Sequence, residues 1–306
     1  MNNVEIDLLK EITGTENGKL SGAYNIRKNG QGVERKVTEN INIVTKKDVS
    51  GIDIYVKENT KFEFVHIPVI ITESGINDVV YNDFYIGKNA KVTIIAGCGI
   101  HNDHKDNSEH NGIHRFFLEE GSRVKYVEKH YGEGNGEGKR ILNPVTEVYL
   151  KDGATLEMES VQIKGVDSTE RVTIAKLESN TNFVVSEKIM THGKQFAKTT
   201  FEVELNGENS STQVTSRSVA TENSKQEFIS RISGNSKCFA HVECDAIIKD
   251  TAKVMSDPQI TANHVDANLV HEAAIGKIAG EQLVKLMTLG LTEKEAETEI
   301  INGFLR

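Results

Sequence analysis

One short phrase recurs from about residue 40 to residue 257 and constrains the fold of this chain more than any other feature. Each copy begins with a turn of Gly, Asn, Asp or Ser and continues with alternating apolar and polar residues. This alternation has a period of two, which predicts strands with one face turned inward, and the turn residues tolerate unusual dihedral angles. Clear copies are KENTKFEF (57–64), GKNAKVTIIAG (87–97), EGSRVKYVEK (120–129), KDGATLEMES (151–160) and GNSKCFAHVEC (234–244).

The spacing of the phrase indicates how the strands are stacked. Copies return about every thirty residues at first and about every fifteen residues later, with little helix between them, which is typical of a solenoid. Each coil of a solenoid buries its inner face on its own walls and on the next coil. We therefore predict a mainly β fold, a parallel β-helix, and a β-sandwich is the competing interpretation. A propeller is disfavoured because its Trp-Asp signature requires Trp, which this sequence lacks.

The chain divides into three predicted parts, of which the repetitive stretch is the middle one. Towards both ends the period changes from two to about 3.6, which predicts helices. A short N-terminal helix runs roughly from Val4 to Ile12 and is followed by a polar turn. The predicted parts are an N-terminal helical and extended cap (1–40), a β-helix core (41–258, ending at Pro258) and a C-terminal helical segment (259–306).

Two helices are predicted in the C-terminal segment. The pair His271-Glu272 opens the first helix, and Gly290 ends it. Thr292 and Glu295 form a capping box at the start of the second helix. Apolar positions that the two helices leave unburied would suit a partner. The apolar stripe of the first helix consists of Ala273, Ile275, Ile278, Leu283, Leu286 and Met287.

Composition excludes several classes of function. The net charge of −9 argues against wrapping nucleic acid, so no nucleic-acid partner is expected. No apolar run reaches the roughly eighteen residues of a membrane span, and the polar start lacks a signal-peptide pattern, so no membrane association is expected. The three cysteines do not make a disulfide framework, which favours reduced thiols and a cytoplasmic location.

Two cysteines occupy inward positions of predicted strands. Cys244 shares its face with Val242 and Ala246, and Cys98 shares its face with Ile94. Each is either a small buried apolar residue or a functional thiol, as a sulfur carrier or metal ligand. Cys238, at the junction of a turn and a strand, is interpreted as structural.

A thiolate, an imidazole and a carboxylate together suit iron or zinc. Cys244 with His271 and Glu272 is such a set, and His264 lies close in sequence. The alternative is that His271-Glu272 only starts a helix, where a carboxylate favours the positive end of the helix dipole. Cys244 and Glu272 are our metal-ligand candidates, with His271 and His264 as further candidates.

A histidine-rich tract at residues 101–114 is interpreted as an exposed excursion from a coil. It contains four histidines among acidic residues, but their spacing matches no zinc-finger or helical pattern. Whether it binds metal is left open. The sequence contains neither a phosphate-loop order nor a GxSxG motif, so we expect no enzyme activity of its own. The four histidines are His101, His104, His110 and His114.

The chain ends in VHEAAIGKIAGEQLVKLMTLGLTEKEAETEIINGF, which resembles the C-terminal signature of the SufB/SufD proteins. These proteins are the scaffold components of the SUF iron–sulfur cluster assembly system. The segments CDAIIKDTAK (244–253) and AGCGIH (96–101) resemble two cysteine-bearing segments of the same family. The resemblance implies a right-handed parallel β-helix with a short N-terminal helix and a helical C-terminal end.

The resemblance also implies roles for particular residues. It makes Cys244 the assembly-site cysteine, Glu272 a nearby acidic ligand and Cys98 a cysteine on the sulfur-entry route. Having both cysteines and the glutamate makes the chain more similar to SufB than to SufD. The terminal helices would dock a SufC-type ABC ATPase through Gly276, Glu281, Gln282, Leu283, Leu286 and Phe304.

The implied partners and cargo follow from the same resemblance. The chain is short for this family, so we expect a minimal version that pairs as a homodimer in place of a SufB–SufD pair. A cysteine desulfurase or another sulfur donor would supply sulfur, the cargo would be a transient iron–sulfur cluster, and flavin binding is in doubt. Two alternatives are a SufD-like adaptor that holds the ATPase but no cluster, and a β-helix carbohydrate-active protein. The second is disfavoured because aromatic residues make up only 6% of the chain and are placed singly in the sequence.

Overall fold

The computed structural model describes residues 1–15 and 18–306. The polar turn predicted after the first helix includes residues 16 and 17, which lie outside the described residues. The elements in chain order are α1 (Asn3–Thr13), β1 (Ala23–Lys28), β2 (Gln31–Lys36), β3 (Ile41–Thr45), β4 (Gly51–Val56), β5 (Lys61–Ile71), β6 (Asn77–Ile86), β7 (Lys91–His101), β8 (Ser108–Leu118), β9 (Arg123–Glu133), β10 (Arg140–Leu142), β11 (Val145–Leu150), β12 (Thr155–Lys164), β13 (Ser168–Leu177), β14 (Asn182–Thr191), β15 (Phe196–Leu205), β16 (Ser211–Ala220), β17 (Lys225–Gly234), β18 (Phe239–Ile248), β19 (Lys253–Ala262), β20 (Asn268–Gly276), α2 (Gly280–Thr288) and α3 (Glu293–Phe304).

The strands form a β-solenoid of about eight turns, which confirms the predicted fold. The strands form two ten-stranded sheets, and from β4 onward successive strands alternate between them, except that β10 and β11 both belong to the second sheet. The first sheet has the order β2-β1-β5-β7-β9-β12-β14-β16-β18-β20. The second runs β19-β17-β15-β13-β10-β8-β6-β4-β3, with β11 between β8 and β13. Pairing is parallel from β4 onward, which is inconsistent with a β-sandwich of antiparallel sheets.

Each coil contains one strand of each sheet, so the chain makes two corner turns per coil. Val92 lies opposite Val124, and Phe183 lies opposite Thr212, so a coil is 32 residues long in the first half and 29 in the second. Two turns in about thirty residues explain why the sequence phrase recurs at both spacings. The core fills the space between the sheets, where the rings of Phe84 and Phe116 stack with centroids 4.5 Å apart.

Residues in the left-handed backbone region form one corner of the solenoid. Asn59, Asn89, Asn180 and Asn209 occupy equivalent turns of different coils, with φ between 56° and 59°. Asparagine and glycine reach this region at lower cost than other residues. Their recurrence in the sequence phrase therefore marks a corner that these coils share.

Helix α1 covers part of the outer face of the first sheet. Its N-terminus is closed by a capping box of Asn2 and Glu5. Leu8 and Ile12 are buried against the sheet in a small apolar cluster. Gly97 in β7 allows this close approach, because a Cβ there would lie 2.8 Å from Cβ of Ile12.

The outer face of the second sheet carries an aromatic ladder, which corrects the expectation that aromatic residues stand singly. Four rings on successive coils stack in sequence, with centroids 4.9, 5.2 and 5.1 Å apart. Neighbouring rings are about one coil apart in the sequence, so their contact is not apparent from the sequence alone. The four residues are Tyr55, Tyr85, Phe117 and Tyr149.

Strand structure continues beyond the predicted boundary at Pro258, which lies inside β19. The prediction that His271-Glu272 opens a helix is wrong, because both residues lie in β20. Pairing of β20 with β18 satisfies the backbone groups on one side of the alanine-rich HEAAIG stretch, and this tertiary pairing overrides its helix propensity. The division into three parts stays a prediction.

The two C-terminal helices were predicted, but the first begins later, at Gly280. The capping box of Thr292 and Glu295 is present at the start of α3. An ion pair of Lys249 with Glu297 (2.5 Å) joins α3 to the solenoid. No helix in the described part of the chain is both long and apolar enough to cross a bilayer.

Candidate functional site

Cys244 lies in β18, between the two sheets, and is only 1% exposed. This confirms the predicted inward position. In its sheet it stands between Ser216 of β16 and Ala273 of β20, so a single strand separates it from the end of the solenoid. Burial raises the pKa of the Cys244 thiol to about 11, so the thiol is protonated at neutral pH in this conformation.

His271 and Glu272 lie on opposite faces of β20. His271 points to the same inner face as Cys244, and its two ring nitrogens have no hydrogen-bond partner among the described residues. Burial, with a smaller effect of His241, lowers the pKa of His271. Glu272 points outward, its side chain is 66% exposed, and its carboxylate lies 3.5 Å from Nε2 of His241.

His264 lies in the turn that precedes β20, away from the other candidates. Cys244 lies opposite Ala273, which is five residues, or about 16 Å, from the start of β20, and His264 lies before that start. The structure thus places Cys244 and His271 on one face, Glu272 on the other, and His264 at the corner. Within the described residues of one protomer, no group of three or more His, Cys, Asp or Glu side chains is arranged to hold a metal ion.

The end of the solenoid next to Cys244 is open. Strands β19 and β20 are the last strands of their sheets, and each has a neighbour on one side only. Most of their residues are exposed, in contrast to the alternating burial of the strands before them. Unpaired strand edges of this length are templates for pairing with another chain.

Cys98 lies in β7 and is also fully buried, as predicted. Burial raises the pKa of its thiol well above the ordinary value, and the negative charges of Asp78 and Glu128 act in the same direction. His130 stands opposite it in β9. A small cavity of about 10 Å³ is lined by Cys98 together with Ile67, Val69, Gly97, His110, Gly112, His114, Glu128, His130 and Pro144.

The histidine tract is not the exposed excursion that the sequence suggested. His110 and His114 lie in β8 and point into the solenoid, each 6% exposed. In SEHNGIHRFFL the alternation is regular, but imidazoles occupy inner positions that aliphatic residues usually fill. Only His101, at the end of β7, and His104, in the following turn, are outside the core.

A continuous row of polar side chains runs along the inner face of the first sheet. Glu128, Ser160, Glu187, Ser216 and Cys244 occupy equivalent positions in β9, β12, β14, β16 and β18. At about 4.8 Å per strand, four steps span about 19 Å. Cys98 lies one strand before Glu128 and two residues further along, so the row leads from the neighbourhood of one thiol to the other.

One guanidinium compensates the charge of this row. Arg171 of β13, 1% exposed, forms an ion pair with Glu128, and its Nε lies 3.6 Å from Oε1 of Glu187. Burial would raise the pKa of Glu128, but Arg171 and His130 hold it well below its usual range. For Glu187 burial prevails and raises the pKa, although hydroxyls of Thr199 and Ser216 donate to its carboxylate.

The sequence interpretation missed this buried row. The signal was present, because Arg171 is in phase with the inward residues Thr169 and Thr173 of its strand. A charged residue at an inward position of a regular strand pattern indicates a buried ion pair. The period of two predicts the strand, and the residues that break its apolar pattern indicate the buried charges.

The predicted docking residues lie on the C-terminal helices and the end of β20. Gly276, Glu281 and Gln282 are exposed, whereas Leu283, Leu286 and Phe304 are half-buried. Helix α2 buries none of its residues. Beside them, Val284, Met287 and Leu289 expose large apolar side chains.

A family model described as SUF system FeS cluster assembly, SufBD core domain, matches residues 70–304. This match covers the coils with both cysteines, the open end and the two C-terminal helices. The chain belongs to the SufBD family. The resemblance drawn from the C-terminal motif is thereby confirmed.

Several proteins called iron–sulfur cluster assembly SufBD family proteins are similar to this SufBD chain. One from Methanocaldococcus jannaschii is 28% identical over 257 residues, covering 82% of this chain and 79% of the relative. One from Pyrococcus horikoshii is 28% identical over 265 residues, covering 83% and 77%. One from Methanothermobacter thermautotrophicus is 26% identical over 240 residues, covering 78% and 57%, so the chain spans little more than half of that relative.

Proposed function

We propose that this SufBD chain is a scaffold subunit that accepts sulfur and iron near a junction between two protomers. The observation that carries the proposal is the buried polar row, which leads from the surroundings of Cys98 to Cys244. A row of carboxylates and hydroxyls costs stability unless it is compensated, and here a fully buried arginine compensates it.

In this proposal sulfur enters at Cys98 as a persulfide and reaches Cys244. The two thiols are five strands apart, about 24 Å, so one cannot attack the other directly. The polar row therefore lines the path of a small sulfur species between them. Hydrosulfide would take the outer sulfur of the Cys98 persulfide and leave as hydrodisulfide, which restores the Cys98 thiol. Attack of the Cys244 thiol on hydrodisulfide would then form the Cys244 persulfide and release hydrosulfide, so the transfer needs no oxidant or reductant.

Iron would be held by Cys244 with Glu272, and with His271 or His264, contributed by one or both protomers. A second protomer is required because the four candidates do not converge within one chain. The open edges of β19 and β20 support pairing with another copy, which makes a homodimer the proposed assembly. Mixed sulfur, nitrogen and oxygen ligation differs from the all-cysteine ligation typical of resident clusters, and suits a cluster that is handed on as cargo.

A SufC-type ABC ATPase is the proposed motor, and it would dock on α2 and α3. The exposed apolar residues Val284, Met287 and Leu289 support this docking surface. The sequence has no phosphate-loop motif, so nucleotide energy would come from that partner. A cysteine desulfurase or another sulfur donor would load Cys98, in the cytoplasm.

Anaerobic reconstitution with iron and sulfide tests the assembly site. Cys244→Ala and Glu272→Ala should each assemble less cluster than wild type, measured by visible absorbance and by bound iron. Cys238→Ala is the matched control, because Cys238 is buried in the coil of Cys244 and has no proposed role. Equal cluster content in all four proteins would refute the site. Absorbance of the anaerobically purified protein also separates a scaffold from a cluster-free, SufD-like adaptor.

Deletion of residues 277–306 tests the docking surface and leaves β20 intact. ATPase co-purification should be lost, and Met287→Asp should weaken it by itself. Val265→Asp is the control, since Val265 is 95% exposed in the turn before β20, outside the proposed surface. Unchanged ATPase binding by the deletion variant contradicts the docking proposal.

A further inference from the structure

The buried histidines near Cys98 form hydrogen bonds that fix where their protons lie. The hydroxyl of Tyr126 donates to Glu128 (2.9 Å), so it accepts from Nδ1 of His114 at 2.7 Å. The other ring nitrogen of His114, Nε2, then accepts from the side-chain amide of Asn82 at 3.3 Å. Both nitrogens of His114 are therefore engaged.

His130 is engaged in the same way. Nη2 of Arg171 donates to Nδ1 of His130 at 3.1 Å, because a guanidinium can only donate. The proton of neutral His130 therefore lies on Nε2, which faces Glu128 at 3.6 Å. Neither His114 nor His130 has a free lone pair for another proton.

His110 differs from these two histidines. Its Nδ1 lies 3.1 Å from Asp78, whose carboxylate accepts two hydrogen bonds from Arg27 at 2.8 and 2.5 Å. Burial alone would raise the pKa of Asp78, but Arg27 and His110 hold it well below its usual range. The ionised carboxylate can only accept, so Nδ1 of His110 carries the proton and Nε2 presents a lone pair.

That lone pair lies at the cavity of Cys98. A Cβ on Gly112 would be 3.4 Å from Nε2 of His110, and Gly112, His110 and Cys98 all line this cavity. Nε2 of His110 has no hydrogen-bond partner among the described residues. The cavity volume of about 10 Å³ is close to what one water molecule needs, and proton transfer through one water is efficient.

We propose that His110, oriented by the Arg27–Asp78 pair, accepts the proton of the Cys98 thiol when that thiol takes up sulfane sulfur. This inference rests on the proposed sulfur-entry role of Cys98. Its elements, a nucleophile and a carboxylate-oriented base that line one small cavity, are those that activate thiols and hydroxyls in other proteins. The buried thiol needs such a base, because its surroundings disfavour the thiolate.

The step balances without a redox partner. The sulfur of Cys98 attacks the terminal sulfur of a persulfide or polysulfide donor and forms a new S–S bond, while the thiol proton passes to Nε2 of His110. The S–S bond within the donor breaks, and the shortened donor leaves as a thiolate. His110 then returns the proton to the leaving thiolate, so Cys98 becomes a persulfide and the imidazole is again neutral.

Inorganic polysulfide is the probe for the test, added anaerobically to the full chain. Persulfide on the Cys98 peptide is quantified by mass spectrometry after alkylation in denaturant. His110→Gln should load Cys98 on the order of a hundredfold more slowly, in line with general base catalysis. Asp78→Asn should slow loading less. His104→Gln, a histidine of the same tract in an exposed turn, should load at the wild-type rate.

The pH profile separates a base from a structural role. In His110→Gln the thiol must ionise unaided, so loading should rise about tenfold per unit from about pH 7 to about pH 9, more steeply than in wild type. A variant that is slow but parallels the wild-type profile overturns the proposal. The charged and titratable groups that face the thiol and His110 are Arg27, Asp78, His114, Glu128, His130 and Arg171.

Three further outcomes are decisive. Nitrogen-15 spectra of the histidine rings should show His110 and His114 protonated on Nδ1 and His130 on Nε2 at neutral pH. A proton on Nε2 of His110 overturns the proposal even if every variant misfolds. If His110→Gln loads like wild type while Cys98→Ser does not load, the base assignment fails and the sulfur-entry role stands. If wild-type Cys98 takes up no sulfur, both fail.

Discussion

Arg171 holds the inner polar row together, and replacing it should destabilise the solenoid strongly. Arg171→Met keeps most of the side-chain volume but leaves Glu128 buried without its cation. Arg171 and Glu128 are 1% and 2% exposed, so water cannot replace the lost partner. Removing one partner of a buried pair costs about 3–5 kcal/mol. The free energy of unfolding should fall by that amount at neutral pH.

The loss should depend on pH with a definite sign. In wild type the pKa of Glu128 is held well below 4.5, so its stabilising contribution is present above about pH 4.5 and is lost as the pH falls further. In Arg171→Met the folded-state pKa of Glu128 rises, so acid removes the unpaired charge. The difference between variant and wild type should therefore shrink as the pH falls.

Urea unfolding followed by far-ultraviolet circular dichroism measures the effect. Arg231→Met is the control, because Arg231 forms a 2.5 Å ion pair with Glu202 at about 40% exposure, and such pairs contribute about 0–1 kcal/mol. The double variant Arg171→Met/Glu128→Gln should recover most of the loss, since Glu128 no longer carries an unpaired charge and Glu187, whose pKa burial already raises, can take up a proton once Arg171 is gone. The reasoning is refuted if Arg171→Met costs no more than Arg231→Met, or if the double variant is less stable than the single one.

Three further predictions concern other parts of the chain. Gly97→Ala should displace α1 and lower the free energy of unfolding by about 1–3 kcal/mol. Gly276→Ala should leave stability unchanged, because nothing lies within 4 Å of its Cβ, and thermal unfolding compares the two variants. Burial lowers the pKa of His114 from 6.5 to about 4, so acid favours the unfolded chain, which protonates first. Between about pH 6.5 and about pH 4 the free energy of unfolding should therefore fall by about 3 kcal/mol, at 1.36 kcal/mol per pH unit. His114→Gln should lack this decrease, measured by the pH dependence of the urea midpoint. Thr292→Ala should lose the capping box and destabilise α3 by about 1 kcal/mol, while Thr298→Ala should not; proteolysis rates of the terminal helices distinguish them.

The fold was predictable because the period of two and the turn residues recur along most of the chain. The inward positions of Cys98 and Cys244 followed from the same period. The helix start at His271-Glu272 was wrongly predicted, because HEAAIG favours a helix locally and only the open edge of β18 makes it a strand. The open edge of β18 exists only once the coils have stacked, so it cannot be predicted from the residues of a short segment.

The buried charges were missed for a related reason. Arg171 and Glu128 are 43 residues apart, and nothing in either strand alone shows that they meet. The proton positions of His110, His114 and His130 also depend on partners from several strands. The C-terminal motif, by contrast, is contiguous, so it could be read directly.

The open end of the solenoid also determines how often Cys244 is exposed to solvent. In a stack of coils each coil is held by its neighbours, so a terminal coil such as the one with β19 and β20 opens at a lower free energy than the inner coils. Fraying of that single coil uncovers Cys244, while Cys98 stays enclosed by coils on both sides. Amide hydrogen exchange should therefore be fastest in β19 and β20. The rate at which the Cys244 thiol is exposed to solvent is therefore set by opening of the coil with β19 and β20. A partner that binds this coil would set how long each exposure lasts.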